Sequence, residues 1–399
     1  MVATTLIALM ALSHCISASA IDTSQRIHGY CKQLNIPVAA TSDSAIYDHP
    51  RVDSNIEARA WAIYADTWDT PQGVQTVVKN TTTSATFNIH AQLCVPKIFG
   101  MKQGILQIAT HGAHYDGRYG DPELDRQNQS YVEASLRAGY SILTYDRLGA
   151  GQSDHPDAYS VVQAPLELEI LRQLTLMARN GTLYSFAGKA QPADDPVVSN
   201  ALTRPNKVVH VGHSFGSFLT SALLAKYPSL TDGAIITGYF YGKYLGAPGM
   251  ASWGVDFAAT SSPPFNRSSG YVVCQKSGIQ NLFFGGNPDT AFTPEMLDHG
   301  DSLKQPVPIG ELASAFHIIG LQGPGLKAPV QFMLAEFDFY ICDGDCKGAY
   351  DLQDLKDTYP NAAIVEDYIQ PNTGHAFTLH NNATAGYQVT FDFLDRNGL

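Results

Sequence analysis

The chain has 399 residues, with 25 Lys and Arg against 37 Asp and Glu, which gives a formal net charge of −12. Hydrophobic residues make up 44% and charged residues only 16%, a balance that excludes an intrinsically disordered chain. The acidic balance argues against a nucleic-acid binder, because neutralising phosphates requires clustered Lys and Arg. After the first 20 residues no apolar run approaches the roughly 20 residues that span a bilayer, so we expect a globular protein without a membrane span.

Residues 1–20 have the features of a secretory signal peptide. They carry no charged side chain, have an apolar core at residues 6–12, and end in Ala18-Ser19-Ala20. A short apolar core followed by an A-x-A site is typical of a segment that is cleaved after export, and a buried first helix is the alternative. We therefore expect a secreted, extracellular protein.

Five N-x-S/T sequons agree with export. Such sequons are acceptors for N-glycans on the surface of secreted proteins, and they lie at Asn80, Asn128, Asn180, Asn266 and Asn382. We expect a glycoprotein.

The cysteines also fit an oxidising compartment. Five of the six follow residue 20, which is enough for two disulfides and one free thiol. We expect one bond between Cys342 and Cys346, a second between Cys31 and Cys94, and a free thiol at Cys274. A metal site in the C-x3-C loop is the weaker interpretation, because no second Cys or His pair lies nearby.

From about residue 86 the sequence predicts alternating strands and helices. Short apolar runs predict strands at residues 86–96, 104–109, 140–145, 207–211, 234–238, 330–335 and 362–365. Apolar residues at helical spacing predict helices at 131–138, at 165–179, after residue 214, and around 387–394. Near-continuous apolar strands that alternate with helices indicate an α/β fold, with a mostly parallel sheet covered by helices on both faces.

The alternation breaks between residues 239 and 328, a stretch dense in Gly, Pro and aromatic residues. We interpret residues 239–328 as a cap inserted between two strands of the sheet. The expected organisation is a signal peptide at 1–20, a core at 21–238 and 329–399, and this insertion.

The sequence GHSFG at residues 212–216 fits the motif G-x-S-x-G. The predicted strand ends at Gly212 and a helix follows Ser214, which is the strand–turn–helix context of a nucleophile elbow. Ser214 is therefore the candidate nucleophile. The alternative is a glycine-flanked serine that only caps a helix.

A serine nucleophile needs a base, which an acid in turn orients, in the chain order Ser, Asp or Glu, His. Four histidines follow Ser214. His375 lies in a loop after the last predicted strand and is the candidate base, whereas His380 is expected to be structural and His299 and His317 fall in the insertion. Asp338, just after the strand at 330–335, is the candidate acid; Glu336, Asp343 and Asp345 remain alternatives.

The oxyanion formed in such a reaction needs two backbone N–H donors. We expect one from Phe215, the residue after the nucleophile, and one from Ala113, in the loop after an early strand. His111 and His114 flank that loop. They could form a metal pair, but no third ligand is evident, so we expect them to brace the loop.

Together these residues resemble the α/β-hydrolase superfamily. The resemblance includes the D-R-x-G-x-G-x-S loop, present as DRLGAGQS at residues 146–153, and it extends over about residues 86–399. The signal peptide, the sequons and Cys31 with Cys94 make the chain similar to secreted fungal members with a Ser-Asp-His triad. Ala335 stands where the family usually has Gly before its acid, and the cap matches no subfamily pattern.

The resemblance implies a serine hydrolase that cleaves an ester, a thioester or a lactone through an acyl-enzyme, with no cofactor and no metal. Epoxide and haloalkane hydrolases of this fold use a carboxylate where Ser214 stands. Carbon–carbon bond hydrolases and acyltransferases share the triad and remain alternatives, as does a non-catalytic binding protein. The expected partner is a small-molecule substrate, and the aromatic insertion favours an apolar or aromatic one.

Overall fold

The computed structural model describes residues 26–66, 76–98, 100–186 and 204–399. The expected signal peptide at residues 1–20 lies outside the described residues. Within them, no helix combines the length and the apolar character needed to cross a membrane.

The described residues form eleven strands. These are β1 (Gly29–Tyr47), β2 (Val77–Pro96), β3 (Ile105–Thr110), β4 (Ser141–Tyr145), β5 (Lys207–His213), β6 (Gly233–Thr237), β7 (Val255–Phe257), β8 (Tyr271–Cys274), β9 (Val307–Pro308), β10 (Val330–Ala335) and β11 (Val365–Gln370).

The same residues form eleven α-helices. These are α1 (Asn55–Ala65), α2 (Arg126–Gln129), α3 (Tyr131–Arg137), α4 (Ala164–Asn180), α5 (Phe215–Lys226), α6 (Lys276–Phe283), α7 (Pro294–Leu303), α8 (Ile309–Ser314), α9 (Phe339–Cys342), α10 (Leu352–Thr358) and α11 (Ala383–Arg396).

Eight strands form the main sheet, in the order β1-β2-β4-β3-β5-β6-β10-β11. β2 is antiparallel to both of its neighbours, and every pair from β4 to β11 is parallel. Successive side chains of a strand point to opposite faces; accordingly, Val208 packs with apolar residues of α4 and α5, and Val209 with those of α3 and α11. The prediction of a mostly parallel sheet with helices on both faces is confirmed.

The two ends of the sheet differ from the prediction. β1 has no counterpart among the predicted strands, and β2 begins at Val77 rather than at residue 86. The outer half of β2 is rich in exposed Thr, Ser and Asn, so it lacks the apolar alternation that marks a strand. β11 begins at Val365, where the predicted strand ends. The apolar residues 362–364 precede the strand, and Ala363 N donates to Lys327 O.

The insertion is more regular than its sequence suggests. β7, β8 and β9 form a separate antiparallel sheet, and α6, α7 and α8 also belong to residues 239–328. The side chain of Trp61 on α1 is buried in the same apolar cluster as Val272 of β8 and Ile279 of α6. The helix α1, assigned to the core by sequence, thus packs against the insertion.

The two expected cysteine pairs are disulfide-bonded in the structure. Cys31 and Cys94 lie opposite each other on β1 and β2, and Cys342 and Cys346 close a short loop after α9. Cys274, on β8, is buried and free.

Candidate active site

Ser214 occupies a strained turn between β5 and α5. Its φ of 54° and ψ of −120° lie in a region that residues other than glycine seldom adopt. The Ser214 N–H donates to Thr237 O at 2.9 Å, which ties the turn to the end of β6. This is the geometry of a nucleophile elbow, which holds a serine hydroxyl at the carboxyl edge of the sheet.

Gly212 and Gly216 are required because neighbouring backbone atoms leave no room for a Cβ at either position. A Cβ at Gly212 would lie 2.7 Å from Gly216 O, and a Cβ at Gly216 would overlap Thr110 O. Larger residues at either position would therefore push α5 away from β3 and β5. The spacing that identified the motif in the sequence thus has a steric cause.

His375 and Asp338 form a buried pair. His375 Nδ1 lies 2.6 Å from Asp338 Oδ2, and the two residues are 2% and 0% exposed. The other carboxylate oxygen of Asp338 accepts from Ile341 N at 3.0 Å. With the proton of the neutral imidazole on Nδ1, facing the carboxylate, Nε2 keeps a free lone pair and can accept a proton.

The alternative carboxylates make other contacts. Glu336 pairs with Lys347 Nζ and accepts from Asn372 N, and Asp345 accepts from Lys347 N. Asp343 ends α9 with a φ of 55°. No hydrogen bond joins any of the three to His375, so Asp338 has the geometry expected of the acid.

His380 holds the loop that carries His375. Its Nδ1 donates to Ala376 O at 2.7 Å and its Nε2 accepts from Gly374 N at 2.9 Å. Burial lowers the pKa of His380 to about 4, so the ring is neutral near pH 7. These contacts agree with the structural role expected from the sequence.

The loop after β3 brings Ala113 into the cavity that Ser214 lines. Ala113, Phe215, Ser214 and His375 line one cavity. Outside helices and strands, no backbone carbonyl of a described residue accepts from Ala113 N or Phe215 N. Phe215 is the first residue of α5, where a backbone N–H has no partner within the helix, as expected of a group that awaits an oxyanion.

His111 braces this loop. Its Nδ1 donates to Gly112 O at 2.8 Å, and its Nε2 accepts from Arg147 N at 2.9 Å. Burial lowers the pKa of His111 to about 3, so the ring remains neutral. Within the described parts of the chain, no three His, Cys, Asp or Glu side chains are grouped to hold a metal ion.

Sequence reasoning missed a buried ionic cluster behind the oxyanion loop. Arg147 binds Glu167 of α4 and, at 2.9 and 3.1 Å, both carboxylate oxygens of Glu311 of α8. The guanidinium also stacks 4.6 Å from the ring centre of Phe215. Burial raises the pKa of Glu167 well above its usual range, although the charge of Arg147 opposes this shift. The only sequence signal was Arg147 in the D-R-x-G loop.

The cavity above Ser214 has a volume of about 750 Å³, within the range of small-molecule sites. Much of its wall is apolar or aromatic and comes from the insertion, as with Trp253, Phe283, Leu312 and Phe316. Other aromatic residues of the insertion, such as Tyr271, are buried in packing clusters instead. Only part of the aromatic composition therefore faces the site.

The five sequons differ in exposure. Asn80, Asn128, Asn180 and Asn266 are exposed. Asn382 is half-buried, and its Nδ2, the atom to which a glycan would attach, donates to Pro371 O at 2.6 Å. Asn382 is thus the least exposed of the five acceptors.

Known proteins of the α/β-hydrolase fold are similar to this chain. The model of the alpha/beta hydrolase family matches residues 109–386, and no curated protein matches the chain. An esterase from Thermogutta terrifontis is 14% identical with a TM-score of 0.48, over 78% of this chain and 94% of that chain.

Two further solved structures are similar. A structure from Nitrososphaera gargenis, reported with activity profiles of carboxylesterases, is 13% identical with a TM-score of 0.48, over 78% of this chain and 96% of that chain. A bromoperoxidase from Bacillus anthracis is 16% identical with a TM-score of 0.45, over 78% and 96%. With TM-scores below 0.5, these likenesses carry no argument about the reaction.

Proposed function

The chain belongs to the alpha/beta hydrolase family, and on that premise we propose that it is a serine hydrolase which cleaves an ester, a thioester or a lactone. One observation carries the proposal. His375, whose Nδ1 lies 2.6 Å from Oδ2 of the buried Asp338, lines the same cavity as Ser214, Ala113 and Phe215. A nucleophile, an oriented base and two free N–H donors are the parts that acyl transfer needs.

The first half of the reaction forms an acyl-enzyme. Ser214 Oγ attacks the carbonyl carbon while His375 Nε2 takes the hydroxyl proton, and the electron pair of the C=O bond moves onto oxygen. The N–H groups of Ala113 and Phe215 stabilise that oxyanion. When the C=O bond reforms, the leaving alcohol or thiol departs with the proton from His375, and Ser214 keeps the acyl group.

The second half repeats these steps with water. The oxygen of the water attacks the acyl carbon while His375 Nε2 accepts a proton from the water. The ester bond to Ser214 then breaks, and the proton passes from His375 to Ser214 Oγ. Asp338 remains ionised throughout and stabilises the imidazolium that forms. A neutral imidazole in the resting enzyme is therefore required for activity.

We also propose that the protein is exported and glycosylated. Two disulfides among the described residues support an oxidising compartment, and four exposed sequons are open to glycan attachment. N-terminal sequencing of secreted material should begin at Ile21, and enzymatic deglycosylation should lower its mass.

A fluorophosphonate probe, which reacts with activated serines, tests the function directly. We expect intact-mass analysis to find one probe on the wild-type protein and none on Ser214→Ala. Ser217→Ala is the matched control, because Ser217 lies three residues further on and its Oγ donates to Thr237 O at 2.8 Å; this variant should still be labelled.

A series of p-nitrophenyl esters of increasing chain length completes the test. We expect Ser214→Ala to lower hydrolysis by on the order of 10³-fold or more while the protein stays folded. Undiminished hydrolysis by folded Ser214→Ala, or labelling of that variant, would contradict the proposal.

A further inference from the structure

A small disulfide loop follows the proposed acid. The bond between Cys342 and Cys346 closes this loop, residues 342–346, and the two cysteines are buried, at 4% and 0% exposure. Asp338 lies at the start of α9, and Cys342 is the last residue of that helix. The covalent bond is therefore one helical turn away from the carboxylate that pairs with His375.

The carboxylate of Asp338 is oriented by that single turn. Its Oδ2 lies 2.6 Å from His375 Nδ1, and its Oδ1 accepts from Ile341 N at 3.0 Å, so Asp338 is the N-cap of α9. A helix of four residues is not stable by itself, because nucleation fixes several residues for one hydrogen bond. Contacts outside the turn must therefore hold it if the carboxylate is to face His375.

The disulfide loop returns the chain to the backbone on both sides of the acid. Cys346 N donates to Glu336 O at 2.9 Å, and Gly344 N donates to Asp338 O at 3.2 Å. Asp338 O also accepts from Cys342 N at 3.0 Å. The segment from Glu336 to Cys346 is thus closed twice, by these backbone bonds at one end and by the disulfide at the other.

The middle of the disulfide loop contributes no apolar packing. Asp343 and Asp345 are exposed, and Gly344 lies between them. Asp343 has a φ of 55°, a left-handed conformation that is strained for a residue with a side chain. The covalent bond therefore maintains a chain reversal that neither burial nor backbone preference stabilises.

We propose that the Cys342–Cys346 bond positions the Asp338 carboxylate against His375, so that it contributes to turnover as well as to stability. This inference rests on the proposed function. The two cysteines act through Asp338 and are positioning residues, because the bond restricts α9 and the backbone that carries the carboxylate. A displacement of about 1 Å in such a group is enough to cost on the order of 10²-fold in rate.

A double-mutant cycle tests whether the bond acts through Asp338. Cys342→Ser/Cys346→Ser should lower kcat by about 10- to 100-fold. KM should stay within about twofold, because neither Asp338 nor the disulfide loop is among the residues that line the cavity. In the Asp338→Asn background the same two substitutions should change kcat by less than about twofold, since the contact that they disturb is already lost.

The second disulfide is the matched control. Cys31 and Cys94 join β1 to β2, and neither strand leads into a residue of the proposed triad. Their bond closes the longer loop, so Cys31→Ser/Cys94→Ser should destabilise the fold more. At a temperature below its unfolding transition, which circular dichroism defines, this variant should nevertheless keep kcat within about twofold of wild type.

Two glycines provide a second test that leaves both disulfides intact. Gly344 lies inside the disulfide loop with a φ of 100°, and Gly348 lies outside it with a φ of 79°. A Cβ at either position would meet no atom within 4 Å, so alanine adds only backbone strain. Gly344→Ala should lower kcat by about threefold or more, whereas Gly348→Ala should leave it unchanged.

The proton between His375 Nδ1 and Asp338 gives a readout that needs no ester. A one-dimensional proton spectrum of the wild type should show a low-field resonance from this short, charge-assisted hydrogen bond. The resonance should be absent from Asp338→Asn and should broaden or disappear in Cys342→Ser/Cys346→Ser. If no ester is hydrolysed, the proposed function fails, and loss of this resonance in the double-serine variant still supports the positioning role.

Three results would overturn the inference and leave the hydrolase intact. The first is a wild-type kcat in folded Cys342→Ser/Cys346→Ser, and the second is an equal loss of kcat in the wild-type and Asp338→Asn backgrounds. If the double-serine variant does not fold, the third result decides, which is equal kcat in Gly344→Ala and Gly348→Ala.

Discussion

The carboxyl edge of the main sheet and the insertion at residues 239–328 contribute differently to the site. Ser214, Asp338 and His375 follow β5, β10 and β11, at the carboxyl ends of three parallel strands. The insertion supplies none of the three, but it supplies Trp253, Phe283 and Leu312 of the cavity wall. The three residues of the proposed triad are thus positioned by local strand–loop geometry, whereas the shape of the cavity depends on packing between distant segments.

Asp338, the proposed acid, is the sheet-edge residue whose substitution has the largest expected effect on kcat. Asp338→Asn should lower kcat by about 10³- to 10⁴-fold, because the imidazole loses the partner that fixes its tautomer. The fold should survive, since an Asn side-chain oxygen can still accept from Ile341 N. Steady-state kinetics with circular dichroism check both statements.

The neighbouring carboxylates are the controls for this variant. Glu336→Gln, Asp343→Asn and Asp345→Asn should each stay within about tenfold of wild type, because none contacts His375. If one of these three variants loses activity while Asp338→Asn remains active, the assignment of Asp338 as the acid is wrong.

The sequence was most informative where a short motif has a local steric cause. GHSFG at residues 212–216 could be placed because Gly212 and Gly216 allow one close turn, and β10 and α4 were predicted nearly to their ends from apolar spacing. The contact of Arg147 with Glu311 could not be predicted, since the two residues are far apart in sequence and meet only in the folded chain. The edge strands β1 and β11 were missed or displaced because half-exposed strands lack a continuous apolar run.

The Arg147 cluster tests whether the insertion is coupled to the core. Arg147→Met should cost about 3 to 5 kcal/mol of unfolding free energy, because it leaves two buried carboxyl groups without their cation. Glu167→Gln should be much milder, since the amide oxygen can still accept from the Arg147 guanidinium, which also keeps its contacts with Glu311. Urea unfolding at pH 7 measures both.

Arg172→Met is the control for this pair of variants. Arg172 pairs with Glu169 at 2.8 Å on the partly exposed side of α4, and such pairs contribute about 1 kcal/mol or less. Equal losses in Arg147→Met and Arg172→Met would show that the buried cluster does not hold the two regions together.

The two disulfides close loops of very different length, a long one in the core and a short one near Asp338. Loop-closure entropy predicts a loss of about 4 kcal/mol when Cys31 and Cys94, which are 63 residues apart, are both changed to Ser. The corresponding loss for Cys342 and Cys346, four residues apart, is about 2 kcal/mol. Urea unfolding gives the two values, and non-reducing peptide mapping that links Cys274 to another cysteine would refute this connectivity.

The smallest expected effect at pH 7 concerns His210 beneath the elbow, and this effect on stability grows as the pH falls. The ring of His210 is fully buried on β5, with Thr231 Oγ1 at 2.9 Å from Nδ1 and Thr175 Oγ1 at 3.0 Å from Nε2. Burial lowers the pKa of His210 to about 3, whereas a histidine in the unfolded chain titrates near about 6.5. Above pH 6.5 both states are neutral; as the pH falls below this value, only the unfolded state takes up the proton. The unfolding free energy should therefore fall by about 1.4 kcal/mol per pH unit from this residue between about pH 6.5 and 3.

His210→Gln should remove that part of the slope in urea titrations at several pH values, whereas His317→Gln, at an exposed position, should change it less. An unchanged slope in His210→Gln would mean that the buried ring is already protonated in the folded protein.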